Sequence, residues 1–277
     1  LAVGCLALVA GFGSSGNLAA AYGIAVTLTM VITALLFHRL MREKWQWGAL
    51  AAGAVTALFL AVDVPLFAAN VHKIPDGGWF PLVAALVLFT LFATWKRGRA
   101  LLSEIMRRNT LPTDLFLDDI RRTPPHRVRG TAVFMTSDPD GIPPVLLHHL
   151  KHNKVLHERV LLMSVITAGV PRVEESERET LRDLGEGFHH VVARYGFMET
   201  PDVPALLRGL TDHGLTVKLA ETSFYLGRET LILTPRRTMA PWRKQIFALL
   251  TRNAKSATAF FGLPPNRVVE LGAQIQF

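Results

Sequence analysis

The run "LAAAYGIAVTLTMVITALLF", Leu18 to Phe37, holds 20 residues and no charge. A helix rising about 1.5 Å per residue crosses a hydrocarbon core of about 30 Å with that length. In lipid, backbone polar groups have to be satisfied within the segment, so the run is predicted to be a spanning helix. Three further apolar stretches accompany it: Leu1 to Gly11, Trp47 to Ala69 and Trp79 to Trp95. The first has only 11 residues, too few to span, and is expected to belong to a longer helix. Residues 1–97 are therefore expected to form a membrane region, with a partial helix at 1–11 and helices at 18–37, 47–69 and 79–95. A linker is expected at 98–129 and an α/β domain at 130–277.

The cationic residues orient these helices. Arg39, Arg42 and Lys44 face one Glu43 in the connection between the second and third segments; Lys96, Arg97, Arg99, Arg107 and Arg108 follow the fourth. Between the third and fourth stands only Lys73, balanced by Asp76. The positive-inside rule then puts residues 38–46 and everything after Trp95 on the cytoplasmic side. This distribution accounts for the net charge of +8 without a nucleic acid partner. Cys5 is the only cysteine, so an internal disulfide is excluded.

Within the membrane half, "PDGG" (Pro75 to Gly78) is predicted to turn the chain sharply, with Trp79 and Phe80 at interface depth and Pro81 in a first helical turn. Tyr22, Thr29 and Thr33 share one face of the second segment, and Ala19 with Gly23 forms a small-xxx-small pair; together they predict packing within a bundle. Asp63, in "LFLAVDVPLF", is the one acidic residue inside an apolar run. An ionisable group in hydrocarbon costs about 2.5–3.5 kcal/mol on insertion scales, so Asp63 is a candidate proton or ion relay. With Pro65 close behind, the more economical reading is a cap for a helix restarting at Val64, or a packing role.

The second half changes period. Short β-rich runs are expected at 131–137, 159–167, 189–197, 229–235 and 267–275, with helices at 114–121, 145–153, 203–214 and 242–257. This alternation predicts an α/β layer domain whose strand order stays open. His148 and His152 are four apart, as zinc ligands can be, but lack a third ligand at a recognisable spacing and sit beside Lys151 and Lys154. "GEGFHH" lacks the full phosphate-binding pattern. No catalytic constellation emerges, so neither an enzyme nor a cofactor is expected.

The blocks "AAAYGIAVTLTM", "DVPLFAANVHKIPDGGWFPL", "GTAVFMTS", "LLHHLKHNKVLHERV", "ETSFYLGRETLI" and "PPNRVVELGAQIQF" resemble, in order, the C-terminal part of the Kup (KUP/HAK/KT) family of bacterial potassium uptake proteins. The resemblance implies potassium uptake across the inner membrane as potassium/proton symport. It implies a polytopic bundle related to the amino acid-polyamine-organocation transporters, of which residues 1–97 are the last helices, followed by a cytoplasmic α/β domain. The ion-binding residues are expected outside this chain. For the domain, relatives suggest dimer contact or nucleotide sensing, and Arg127, Arg129, His148 and Lys154 either meet such an anion or form a solvated basic face. The rival reading is a membrane-anchored, nucleotide-sensing regulatory protein.

Overall fold

A computed structural model describes residues 2–108, 110–137, 141–234 and 238–277. The first three residues of the turn expected from "DPDGIPP" at 138–144, and the last residue of the strand expected at 229–235, lie outside the described residues. The chain divides into two compact units, Leu1–Ala93 and Thr94–Phe277.

The first unit is helical: α1 (Ala2–Phe12), α2 (Ser15–Glu43), α3 (Ala49–Val71) and the start of α4 (Trp79–Arg108). α2, α3 and α4 are long and apolar enough to cross a membrane. Ser14 caps α2 by accepting a hydrogen bond from the Asn17 amide (3.2 Å). Between α3 and α4, Ile74–Gly78 makes a single wide helical turn in which Gly77 adopts φ 144°. That angle suits glycine, and a Cβ there would meet the Asn17 carbonyl at 2.5 Å, so the corner seats against the start of α2.

In the second unit, β1 (Leu111–Pro112), α5 (Thr113–Arg122), β2 (His126–Thr136) and β3 (Gly141–Ile142) come first. Next are α6 (Pro144–Asn153), β4 (Val155–Ala168), β5 (Glu179–Gly185) and β6 (Phe188–Gly196). The chain finishes with α7 (Val203–Gly209), β7 (Thr222–Ile232), α8 (Pro241–Arg252), α9 (Ala257–Phe260) and β8 (Val268–Gln276). β1 pairs with β3; the other strands form one sheet in the order β5-β6-β4-β2-β7-β8. All its pairings are parallel except β5 with β6.

β2 lies inside this sheet, and Thr131 to Phe134 are buried, the continuous burial expected of a strand covered on both faces. On one face Phe134, Leu162 and Phe188 pack with Phe116 of α5 and Leu146 of α6. On the other, Val133, Leu161 and Phe224 pack with Leu206 and Leu207 of α7. A third cluster joins Leu102 of α4, Phe247 of α8 and Phe277.

Two expectations are corrected, and two further features are located. The segment expected to be a linker from residue 98 is helical to Arg108, because Leu102, Ile105 and Met106 give it an apolar stripe that packs on Phe247 and Phe277. The strand expected at 229–235 begins at Thr222, and its buried half is Thr222 to Leu226. β5 went unforeseen; its polar sequence suits a half-exposed edge. "GEG" at 185–187 is the β5–β6 hairpin turn, with φ of 82°, 53° and 75°, and makes no phosphate loop.

Candidate functional site

In the first unit, α3 turns Ala52, Thr56 and Asp63 inward, while α2 buries Ala20, Ile24, Thr27, Ala34 and Met41. The His38 imidazole Nδ1 lies 2.9 Å from Thr56 Oγ1, linking the two helices. Toward the other end, a Cβ on Gly23 would stand 2.7 Å from Asn70 Oδ1, so glycine there lets the Asn70 side chain approach α2. Lys73 Nζ donates to the same oxygen (3.2 Å). Thr27 and Thr56 return their hydroxyl protons to the Gly23 and Ala52 carbonyls, each at 2.7 Å.

Asp63 sits on α3 between these two links and is 6% exposed. No hydrogen bond or ion pair reaches its carboxylate among the described residues. α3 is continuous from Ala49 to Val71 with Pro65 inside it, so Asp63 is an interior residue and not the cap of a restarted helix. At about 1.5 Å per residue it lies about 12 Å from the Val71 end. Tyr22 is 71% exposed, and Thr29 and Thr33 are exposed as well. Within this unit the expected polar stripe thus lies off the face that packs on α3. Thr29 donates to the Ala25 carbonyl of its own helix (2.7 Å). Sequence reading missed His38, which it could have found as the one polar side chain on the buried face of α2 near the cationic flank.

The four basic candidates of the second unit separate. Arg127, at the start of β2, donates to the His157 and Glu186 carbonyls, both at 2.8 Å, and lies 5.3 Å from the Phe188 ring centroid. Burial lowers its pKa, opposed by Glu186; this guanidinium fastens the hairpin turn to the sheet. Arg129 is exposed near the same end of the strand. Lys154 ends α6 in the left-handed conformation, φ 56°, close to where Val155 pairs with His126. His148, by contrast, borders a cavity at the opposite end of β2. Its ring is 6.3 Å from that of His152, edge to face, and among the described residues no three metal-ligating side chains cluster.

That cavity, about 460 Å³, is placed by topology. β2 connects through α6 to β4 on one side, whereas β7 connects through α8 to β8 on the other. The diverging connections leave a crevice outside the carboxyl ends of β2 and β7, where open α/β sheets bind ligands. Thr136, Ser137 and Gly227 form its floor, the first turns of α6 one wall, and Leu102, Met106 and Arg107 of α4 another. Arg99 Nη1 stands 4.0 Å from Glu229 Oε2. Burial raises the Glu229 pKa, and Arg99 opposes the rise. The sequence reading had counted Arg99 and Arg107 only as cationic flank.

Spanning helices followed by a doubly wound α/β domain define a multi-pass membrane protein with a globular C-terminal domain. Residues 129–277 match the family described as "K+ potassium transporter C-terminal domain", and residues 1–100 match "K+ potassium transporter integral membrane domain". The chain belongs to the K+ potassium transporter family. It is 57% identical over 281 residues to "Probable potassium transport system protein Kup" of Anaeromyxobacter dehalogenans strain 2CP-C, covering 100% of this chain and 42% of the relative. Its identity to the protein of the same name from Myxococcus xanthus is 52%, again across 100% of this chain and 42% of the relative. For "Probable potassium transport system protein Kup 1" of Geobacter sulfurreducens the identity is 50%, with 100% and 44% covered. The chain thus spans less than half the length of these relatives. Membership in a family of transporters agrees with the expectation that it is not an enzyme.

Proposed function

We propose that the full-length protein carries potassium inward across the inner membrane in symport with protons. Residues 1–97 are then the last helices of an amino acid-polyamine-organocation-like bundle, and the domain from about residue 130 is cytoplasmic. The observation that carries this reading is the ordered match of the chain to both parts of one potassium transporter family. The cationic flanks support the orientation. The buried Thr27, Thr56 and Asp63 favour transport over a simple tether, since an anchor needs no ionisable group inside its helix packing.

Growth of a potassium-uptake-deficient bacterium on limiting potassium tests the proposal. Expression of the full-length gene is expected to restore growth and rubidium uptake. A protein that reaches the membrane and restores neither would refute the transport reading.

A further inference from the structure

We propose that the cavity at the carboxyl ends of β2 and β7 binds a small organic anion with an apolar body. Its charged head lies at Arg107 and His148, and its body lies against Leu226, Phe261 and Leu271. This inference is independent of the transport reading, because it concerns only the second unit.

Four observations converge on that chemistry. The volume of about 460 Å³ lies within the range of roughly 300–1,000 Å³ usual for small-molecule sites. The sheet's diverging connections put the cavity where such folds receive ligands. Its charges are two guanidiniums, Arg99 and Arg107, against one carboxylate, Glu229. Arg99 already faces Glu229, whereas among the described residues no carboxylate pairs with Arg107, so one positive charge is left for a ligand. The start of α6 adds to it: Pro143, Pro144 and Val145 line the cavity, which puts the positive end of that helix's dipole beside it.

The remaining lining narrows the class. Phe261 and Leu271, both half-buried, would stay wetted behind a bare inorganic anion, so the occupant needs an apolar body. A metal cation is disfavoured by the adjacent guanidiniums. Ser137 supplies a hydroxyl at the cavity lining, suited to a phosphate or carboxylate head.

The experiment uses the full chain in detergent micelles, titrated calorimetrically with AMP, 1-naphthoate, adenosine and inorganic phosphate. AMP or naphthoate is expected to bind saturably at one site, with adenosine and phosphate far weaker. AMP alone would identify a phosphate head, and naphthoate alone a carboxylate head. At Gly227, a lining residue, an added Cβ meets nothing within 4 Å, so Gly227→Val places a bulkier side chain at the cavity wall. Gly227→Val and Arg107→Glu are each expected to weaken binding at least about tenfold, which is about 1.4 kcal/mol. Arg129→Glu, at the other end of β2, is expected to leave it unchanged. Failure of both AMP and naphthoate to bind overturns the proposal, as does binding that survives Arg107→Glu. Equal loss in Arg129→Glu would also overturn it, by assigning the effect to general surface charge. Should Gly227→Val misfold, the exposed Arg107→Glu still decides.

Discussion

Asp63 is a carboxyl group held between two helices of the membrane unit with no hydrogen bond or ion pair among the described residues. An ionisable group is costly in that setting, which makes Asp63 a candidate for a part in transport. If Asp63 takes part in transport, Asp63→Asn in the full-length protein should leave membrane expression intact and flatten the pH dependence of rubidium uptake. An unaltered pH profile would reduce Asp63 to a packing residue. His38, 2.9 Å from Thr56, shows what a single sequence hides. Its partner is 18 positions away on another helix, and only the α2–α3 pairing brings them together. Arg127 teaches the opposite lesson. A basic residue in a candidate anion patch is already committed, because backbone carbonyls of β4 and of the hairpin turn accept hydrogen bonds from both of its terminal nitrogens.

At the level of elements, one close approach sets how tightly the second half of α4 packs on the domain. A Cβ on Gly98 would collide with the Phe247 ring, and Phe247 is wholly buried among Leu102 and Phe277. Glycine therefore sets how near α4 and α8 can come. Gly98→Leu should overpack this cluster and destabilise the second unit by about 1–3 kcal/mol. Hydrogen exchange of α8 amides in the intact chain measures that change, and unaltered protection would mean that the cluster repacks freely. Lys244 secures the same region by donating to the Thr234 and Phe277 carbonyls at 2.9 and 3.1 Å. The apolar stripe of residues 101–106 was present in the sequence. It was hidden by the charges of "KRGR" and "RR" around it, which resemble the cationic stop after a spanning helix.

For the molecule as a whole, the second unit carries two acid-sensitive devices, and their signs agree. His149 and His157 are packed beside Tyr225, with ring centroids 4.6 and 6.0 Å from it and 6.3 Å from each other. Burial lowers both pKa values below 6.5, and for His149 the neighbouring His157 adds to the effect. The unfolded chain thus takes up these protons first, and stability falls as pH drops below about 6.5. Glu199 accepts from Arg178 and from the Gly196 and Val173 amides at 2.8, 2.7 and 3.1 Å. Together they lower its pKa to about 2, so its contribution is present above about 4.5 and is lost as pH falls toward 2. Acid titration followed by hydrogen exchange should loosen α6 and β4 first and the Val173–Glu199 loop later. His157→Leu should diminish the first stage, leaving the part that burial of His149 supplies, and Glu199→Gln should remove the second; a single transition unmoved by either variant would contradict this order. Helix spans, their cationic flanks and the α/β character of residues 130–277 were legible in the amino-acid sequence, because lipid solvation and hydrophobic periodicity act on neighbouring residues. The strand order, the reach of α4, the His38–Thr56 link and the cavity between β2 and β7 were decided by tertiary structure alone, because each depends on surfaces that meet only when distant segments pack.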